Sequence, residues 1–235
     1  MLRLENLCCG YDSVTAVSGV TFEIKRGEIF SLLGPNGAGK TSTMLALMGL
    51  ATVHSGRMLL DDEDISRLLP TERARLGIGF VPEGRRLFSD LTVDENLSVG
   101  GHTRTRAEVM RSREKMFSLF PRLAERRAQI SGTLSGGEQQ MLSFGRALMM
   151  EPRLLLVDEL SLGLMPKAVG IFVEVLKTLK AEGTTILLVE QNTRRALAIA
   201  DGVCVLAAGK QVFQGRADEA RSAKGLFSRY LGIGD

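Results

Sequence analysis

The chain has 235 residues, 44% of them hydrophobic and 24% charged, which is enough apolar material to bury a core and excludes an intrinsically disordered protein. Thirty Lys and Arg against twenty-seven Asp and Glu leave a formal net charge of +3, too small to select nucleic acid or an anionic membrane surface as partner. No apolar run approaches the roughly 18 residues of a spanning helix. Met1-Leu2-Arg3-Leu4-Glu5 lacks a signal peptide's apolar centre, so the expectation is a chain that stays in the cytosol.

Residues 2–7 and 20–24 alternate apolar and polar, as half-exposed strands do. Between them Gly10-Tyr11-Asp12 reads as a loop, and Tyr11 could stack on a base or merely cover a sheet edge. Ile29-Phe30-Ser31-Leu32-Leu33 is a buried strand. It runs into Gly34-Pro35-Asn36-Gly37-Ala38-Gly39-Lys40-Thr41, a full match to G-x-x-x-x-G-K-[ST], followed by Ser42 and a helix-like segment from Thr43 to Met48. Strand, glycine-rich loop and helix together predict a phosphate cradle: the glycines let backbone N–H groups converge on one anion, and the helix dipole adds to the attraction. Lys40 is the expected contact to the outer phosphates, and the Thr41 hydroxyl the expected ligand to Mg²⁺.

Residues 56–60 predict a short strand, Asp61 to Asp64 an acidic turn, Pro70 to Leu76 a helix and Ile78 to Val81 a strand. From Glu83 to about Gln129 the texture changes to Arg-rich segments with Val109, Met116, Phe117 and Phe120 at helical spacing, a helical insertion whose arginines read as a solvated face. Ser135-Gly136-Gly137-Glu138 then opens a helix that stops before Pro152. Its S-x-x-E capping pattern and two glycines make a second helix start able to bind an anion.

The apolar run Arg153 to Val157 ends in Asp158-Glu159, placing two carboxylates where ligands bind in open α/β sheets. Beside a phosphate loop, one such carboxylate can support Mg²⁺ and its neighbour can orient or deprotonate an attacking water. A helix from Pro166 to Leu179, a strand from Thr184 to Glu190 and a helix from Arg194 to Ala200 continue the alternation, followed by a hairpin about Ala208-Gly209-Lys210 and a helical tail from Ala217 to Leu231. Cys8, Cys9 and Cys204 show no zinc or disulfide spacing and are expected as buried free thiols, and His54 and His102 as solvated side chains.

The order of these motifs resembles that of ABC-transporter ATPase subunits, with Leu134-Ser135-Gly136-Gly137-Glu138-Gln139-Gln140 matching their signature. Val81 to Phe88, Ser161 to Pro166 and Leu188 to Asn192 are similar to the LivF-type subunit of branched-chain amino-acid importers, with urea-type and amide-type subunits close behind. The resemblance implies one ABC ATPase domain over 1–235, an α/β P-loop NTPase core with a mostly parallel sheet flanked by helices, an N-terminal antiparallel β part and an inserted helical subdomain of about 84–150. It implies ATP and Mg²⁺ as cofactors and two ATPase subunits facing head to tail, the second a paralogue or another copy. It further implies two transmembrane permease subunits that would hold the chain at the cytoplasmic face of the membrane, and an external binding protein that would supply the solute.

Carried over residue by residue, residues 34–42 and Lys40 hold the phosphates, Tyr11 stacks on adenine, Thr41 and Asp158 support Mg²⁺, and Glu159 activates water. Ser135, Gly136, Gly137 and Gln139 serve the partner's ATP, and the stretch from Glu83 to Phe88 meets a membrane subunit. Glu83 stands where most relatives place a Gln that senses the metal, and Gln191 where most place a His that contacts the γ-phosphate. Leu160 replaces the usual Pro after the catalytic Glu, which implies a looser loop and slower hydrolysis than in a Leu160→Pro variant. Two rivals stay open at this level: a soluble ABC protein outside transport, and a subunit that binds ATP without hydrolysing it.

Overall fold

In a computed structural model that describes residues 1–160 and 163–222, two sheets divide the chain's strands between them. The first holds β1 (Leu2–Tyr11), β2 (Val14–Ile24), β4 (Thr52–Leu60) and the two-residue β5 (Glu63–Asp64), in the antiparallel order β2-β1-β4-β5. Leu2, Leu4, Leu7 and Cys9 of β1 point inward, with register shifts after Leu4 and Leu7 that let the ribbon bend. The strands run longer than the alternation predicts. Tyr11 lies at the end of β1, paired with Val14, instead of on a loop, and the turn is carried by Asp12 at φ 48°. Asp can hold that left-handed conformation more readily than most residues because its short polar side chain bonds locally.

The second sheet holds β3 (Ile29–Leu33), β6 (Ile78–Val81), β7 (Leu154–Asp158), β8 (Thr185–Val189), β9 (Gly202–Ala207) and β10 (Lys210–Arg216). Its order is β10-β9-β3-β8-β7-β6, parallel except for the β9-β10 hairpin at the edge. The residues of β3, β7 and β8 are buried throughout, because both faces of this sheet are covered. On one face, α1 (Lys40–Leu47) packs between the two sheets in a cluster that includes Phe22, Phe30, Met44, Leu47 and Leu156. On the other lie α6 (Gly136–Leu148) and α7 (Pro166–Ala181), around Phe120, Phe144 and Phe172, with ring centroids 5.5 to 6.3 Å apart. The carboxyl ends of β3 and β7, where Gly34 and Asp158 sit, therefore meet at one crevice of a rigid parallel sheet.

The Arg-rich region folds as α3 (Val93–Gly100), α4 (Arg106–Leu119) and the single turn α5 (Pro121–Ala124). Thr92 with Glu95 and Thr105 with Glu108 form capping boxes of the same kind as Ser135 with Glu138. The arginines do more than solvate a face. Arg113 reaches Asp94 at 2.6 Å and ties α4 to α3, Arg126 reaches Glu138 at 2.7 Å on α6, and Arg104 reaches Glu151 at 2.9 Å, linking the entry to α4 with the exit of α6. Met116, Phe117, Phe120 and Leu123 share one apolar cluster with β7, β8 and α7, so the helices and the sheet pack as one core.

Smaller expectations separate here. The helix predicted from Pro70 appears as α2 (Pro70–Arg75), and the helix after β8 as α8 (Thr193–Ile199). Glu63 and Asp64 pair as a strand where an acidic turn was expected, leaving Asp61 and Asp62 to make the turn. The tail begins as α9 (Ala217–Ser222), and its predicted continuation to Leu231 lies outside the described residues, as do Ser161 and Leu162. Cys9 and Cys204 are buried free thiols, but Cys8 is only half-buried, because adjacent residues of a strand face opposite sides. His54 and His102 are exposed as expected.

Candidate nucleotide site

The loop after β3 is shaped by close approach as much as by conformation. A Cβ on Gly34 would run into the Leu206 carbonyl of β9, and one on Gly39, at φ +98°, would lie 2.6 Å from the Val17 side chain. Only glycine lets the loop tuck beneath the β9-β10 hairpin. The hairpin tip reinforces the seat: the Gly209 N–H donates to the Ala38 carbonyl at 3.2 Å, and the Gly209 carbonyl accepts from the Ser18 N–H at 2.8 Å.

Lys40, the first residue of α1, is buried and donates its ammonium to the Gly34 and Pro35 carbonyls at 2.9 and 3.1 Å. Burial lowers its pKa, opposed by the negative charges of Glu159, Asp158 and Glu83. A cation held by carbonyls, with no carboxylate among the described residues closing on it, stays available to an anion.

Asp158 ends β7 with 1% of its surface exposed, beside the Thr41 side chain, and burial raises its carboxyl from 3.8 to about 6. Its Oδ1 has no hydrogen-bond partner among the described residues. A buried carboxylate oxygen left over beside the Thr41 hydroxyl is the donor set a hard divalent cation takes, so these residues fit Mg²⁺. Glu159 follows in the left-handed conformation, φ 48°, with its backbone N–H on the Val189 carbonyl at 3.0 Å. Both of its carboxylate oxygens accept from the Gln191 Nε2, at 2.9 and 2.8 Å. Backbone strain at a residue held on both sides is a common feature of functional positions.

These groups open on a cavity of about 550 Å³ lined by Asn36, Gly37, Gly39, Lys40, Thr41, Ser42, Glu83, Glu159 and Gln191, with Thr15, Ala16, Ala208 and Gly209 closing its other end. The sheet thus gathers residues from sequence positions 15 to 209 into one pocket. Gly34, Pro35, Ala38 and Asp158 do not themselves line it, and neither does half-exposed Tyr11. Thr15, Ala16 and Ala208 escape sequence reasoning, since small residues carry no chemical signal. A hairpin at Ala208-Gly209 is legible, but its position over the phosphate loop is not.

Ser135, Gly136, Gly137 and Gln139 do not line the pocket. They begin α6, where the Ser135 hydroxyl accepts from the Glu138 N–H at 3.4 Å and Glu138 returns bonds to the Ser135 N–H and hydroxyl at 3.0 and 2.7 Å. One chain therefore carries two separate helix starts suited to phosphate.

Parallel sheet, phosphate loop and paired carboxylates at the strand ends define a P-loop nucleotide-binding protein. The sequence profile described as ABC transporter matches residues 17–161, and the chain belongs to that family of ATP-binding, ATP-hydrolysing cassettes. It is 44% identical to the high-affinity branched-chain amino acid transport ATP-binding protein BraG of Pseudomonas aeruginosa, over 90% of this chain and 91% of that one. It is 39% identical to the probable branched-chain amino acid transport ATP-binding protein LivF of Archaeoglobus fulgidus, over the full length of both. Among solved structures, a dimeric post-hydrolysis cassette bound to ADP and Pi superposes with a TM-score of 0.79 at 25% identity, over 92% of this chain and 99% of that one.

Proposed function

We propose that the chain is the ATPase of an importer for branched-chain or related amino acids. The observation that supports this most is end-to-end similarity to a probable LivF, with Lys40, Thr41, Glu159 and Gln191 gathered on one pocket. Lys40 and the loop N–H groups would bind and orient the phosphates, Thr41 and Asp158 would hold Mg²⁺, and Glu159, steered by Gln191, would take the proton of the attacking water. Mg²⁺, when bound, neutralises charge on the outer phosphates. Gln191 is a neutral amide, so it orients Glu159 without competing for the proton. Glu83, exposed on the lining, faces the same space and is the remaining candidate contact to the metal's water shell.

Two such chains, or this chain and a paralogue, would close head to tail, each nucleotide held between one subunit's residues 34–42 and the other's Ser135 to Gln139. Tyr11 would then meet adenine from the rim. The helical region of about 84–150 is proposed as the subdomain that reaches two permease subunits at the cytoplasmic face of the membrane, with Glu83 to Phe88 at the contact. Phe88 is half-exposed there, with the Arg146 guanidinium 5.2 Å from its ring centre. Among the described residues no helix is long and apolar enough to cross a membrane, so transport would require those subunits.

Two measurements test the reading. Glu159→Gln is expected to bind ATP normally and to lose turnover by about two to four orders of magnitude, as for loss of a general base; wild-type turnover would end the assignment of Glu159. Purification of tagged chain from solubilised membranes is expected to recover two polytopic proteins and a paralogous ATPase. Recovery of soluble partners alone would refute the transport reading.

A further inference from the structure

The segment joining β6 to α3 carries three consecutive residues in the left-handed region, Gly84 at φ 76°, Arg85 at 66° and Arg86 at 45°. Two successive arginines there are strained, so the surrounding structure must hold them. The Arg86 N–H closes a tight turn onto the Gly84 carbonyl at 2.7 Å, and two side chains of α6 hold the turn from outside. The Ser143 hydroxyl donates to the Arg85 carbonyl at 2.8 Å, and the Arg146 guanidinium donates to the Arg86 carbonyl at 2.7 Å. The backbone is thereby turned so that the Arg85 side chain lies along the beginning of α6.

There its Nη1 donates to the Gln139 Oε1 at 3.0 Å, while the Gln139 Nε2 donates to the Ser131 and Gly132 carbonyls at 3.4 and 3.3 Å. Both ends of the Gln139 amide are thus assigned, and the oxygen end by Arg85. Gly136 makes room for the guanidinium: a Cβ on it would lie 2.9 Å from the Arg85 Nη2. Two residues earlier in the chain, Glu83 lines the nucleotide cavity. One short strained segment therefore touches the pocket for this subunit's nucleotide at one end and the helix start for the partner's nucleotide at the other.

We propose that Arg85 is a positioning residue of the signature helix start, fixing the Gln139 amide and tying that site to the Glu83 wall of the subunit's own nucleotide pocket. This rests on the reading that Ser135 to Gln139 serve a partner's ATP. Arg85 touches no reacting atom; it acts through Gln139. A planar guanidinium suits the task because one nitrogen can bond the amide while another packs over the backbone of Gly136.

The test is steady-state ATP hydrolysis by the full chain carrying Arg85→Met, Arg85→Lys, Gln139→Ala and the Arg85→Met/Gln139→Ala pair, with kcat and KM read separately. Arg85→Met is expected to lower kcat about tenfold and to leave KM within about twofold, as loss of one charge-assisted hydrogen bond acting only in the assembled site would do. Arg85→Lys is expected to recover part of kcat. The double variant should be no slower than Gln139→Ala alone, since Arg85 has nothing left to position. Additive losses in the double variant, or wild-type kcat in Arg85→Met, would overturn the proposal. A rise in KM matching the loss of kcat would do the same, because it would mean that the strained segment had merely collapsed into the pocket. Wild-type kcat in Gln139→Ala would remove the signature reading together with the proposal, whereas a Gln139 effect with a silent Arg85 removes the proposal alone.

Discussion

Asp158→Asn is expected to stabilise the nucleotide-free protein while weakening its response to Mg²⁺ and ATP. Burial raises the Asp158 carboxyl from 3.8 to about 6. Below about pH 4 both folded and unfolded chains hold the proton, and the group contributes no pH dependence. As pH rises through the interval from 3.8 to about 6, the unfolded chain releases its proton before the folded one, so stability falls and then levels off above the folded value. Two pH units correspond to about 3 kcal/mol. The buried amide that replaces the carboxylate inherits the unpartnered oxygen, so the net gain at pH 7.5 is about 1 to 3 kcal/mol. For a chain of this length that is an increase of roughly 3 to 10 °C in melting temperature. The assay is thermal unfolding of both proteins between pH 5 and 8, with EDTA and then with MgATP. The difference should shrink by about half at pH 5, where the folded wild type already holds its proton. MgATP should raise the wild-type midpoint well above that of the variant. An Asn variant that melts at or below wild type at pH 7.5, or a difference independent of pH, would refute the account of Asp158 as a buried charge awaiting a cation.

Leu160 is buried in the apolar cluster beneath α7, so Leu160→Pro should trade its packing, at about 2 to 4 kcal/mol, for a stiffer loop, giving a lower melting temperature together with faster hydrolysis; equal ATPase rates in the two proteins would reject the stiffening argument. Arg73 is buried with no ion-pair partner among the described residues. It donates to the carbonyls of Ala46, Leu47, Ser66 and Leu68, closing the end of the phosphate-loop helix. Arg73→Met should cost about 2 to 4 kcal/mol in denaturant unfolding because those buried carbonyls lose their donors. Gly34→Ala should cut ATP affinity by at least about tenfold, since its methyl group would displace the loop from the Leu206 carbonyl. Calorimetric titration showing wild-type affinity would contradict that packing.

Local chemistry made much of the site legible in the sequence. The phosphate loop needs its glycines and lysine in fixed order, a capping box needs Ser and Glu three apart, and a buried parallel strand must be apolar until its polar end at Asp158 and Glu159. Each of these is a short-range constraint, so each leaves a short-range mark. The T-x-x-E spacing at Thr92 and Thr105 carries the same short-range mark, and both form capping boxes. Where the alternation of residues 2–7 stopped, the strand did not, because the β1 ribbon continues through register shifts that break the period of two.

What the sequence by itself determined is therefore the inventory: a nucleotide loop, a second anion-binding helix start, two carboxylates at a strand end, and helices and strands alternating around a covered sheet. Tertiary structure alone decided which of these meet. It set the Ala208-Gly209 turn over the phosphate loop, turned Gln191 onto Glu159 and left the Asp158 oxygen without a partner among the described residues. It also kept Ser135 to Gln139 out of the pocket and laid Arg85 against Gln139 across 54 residues of chain. Those juxtapositions depend on strand order and on helix packing angles, long-range properties that small residues such as Ala16 or Gly209 serve without advertising, because their contribution is the space they leave.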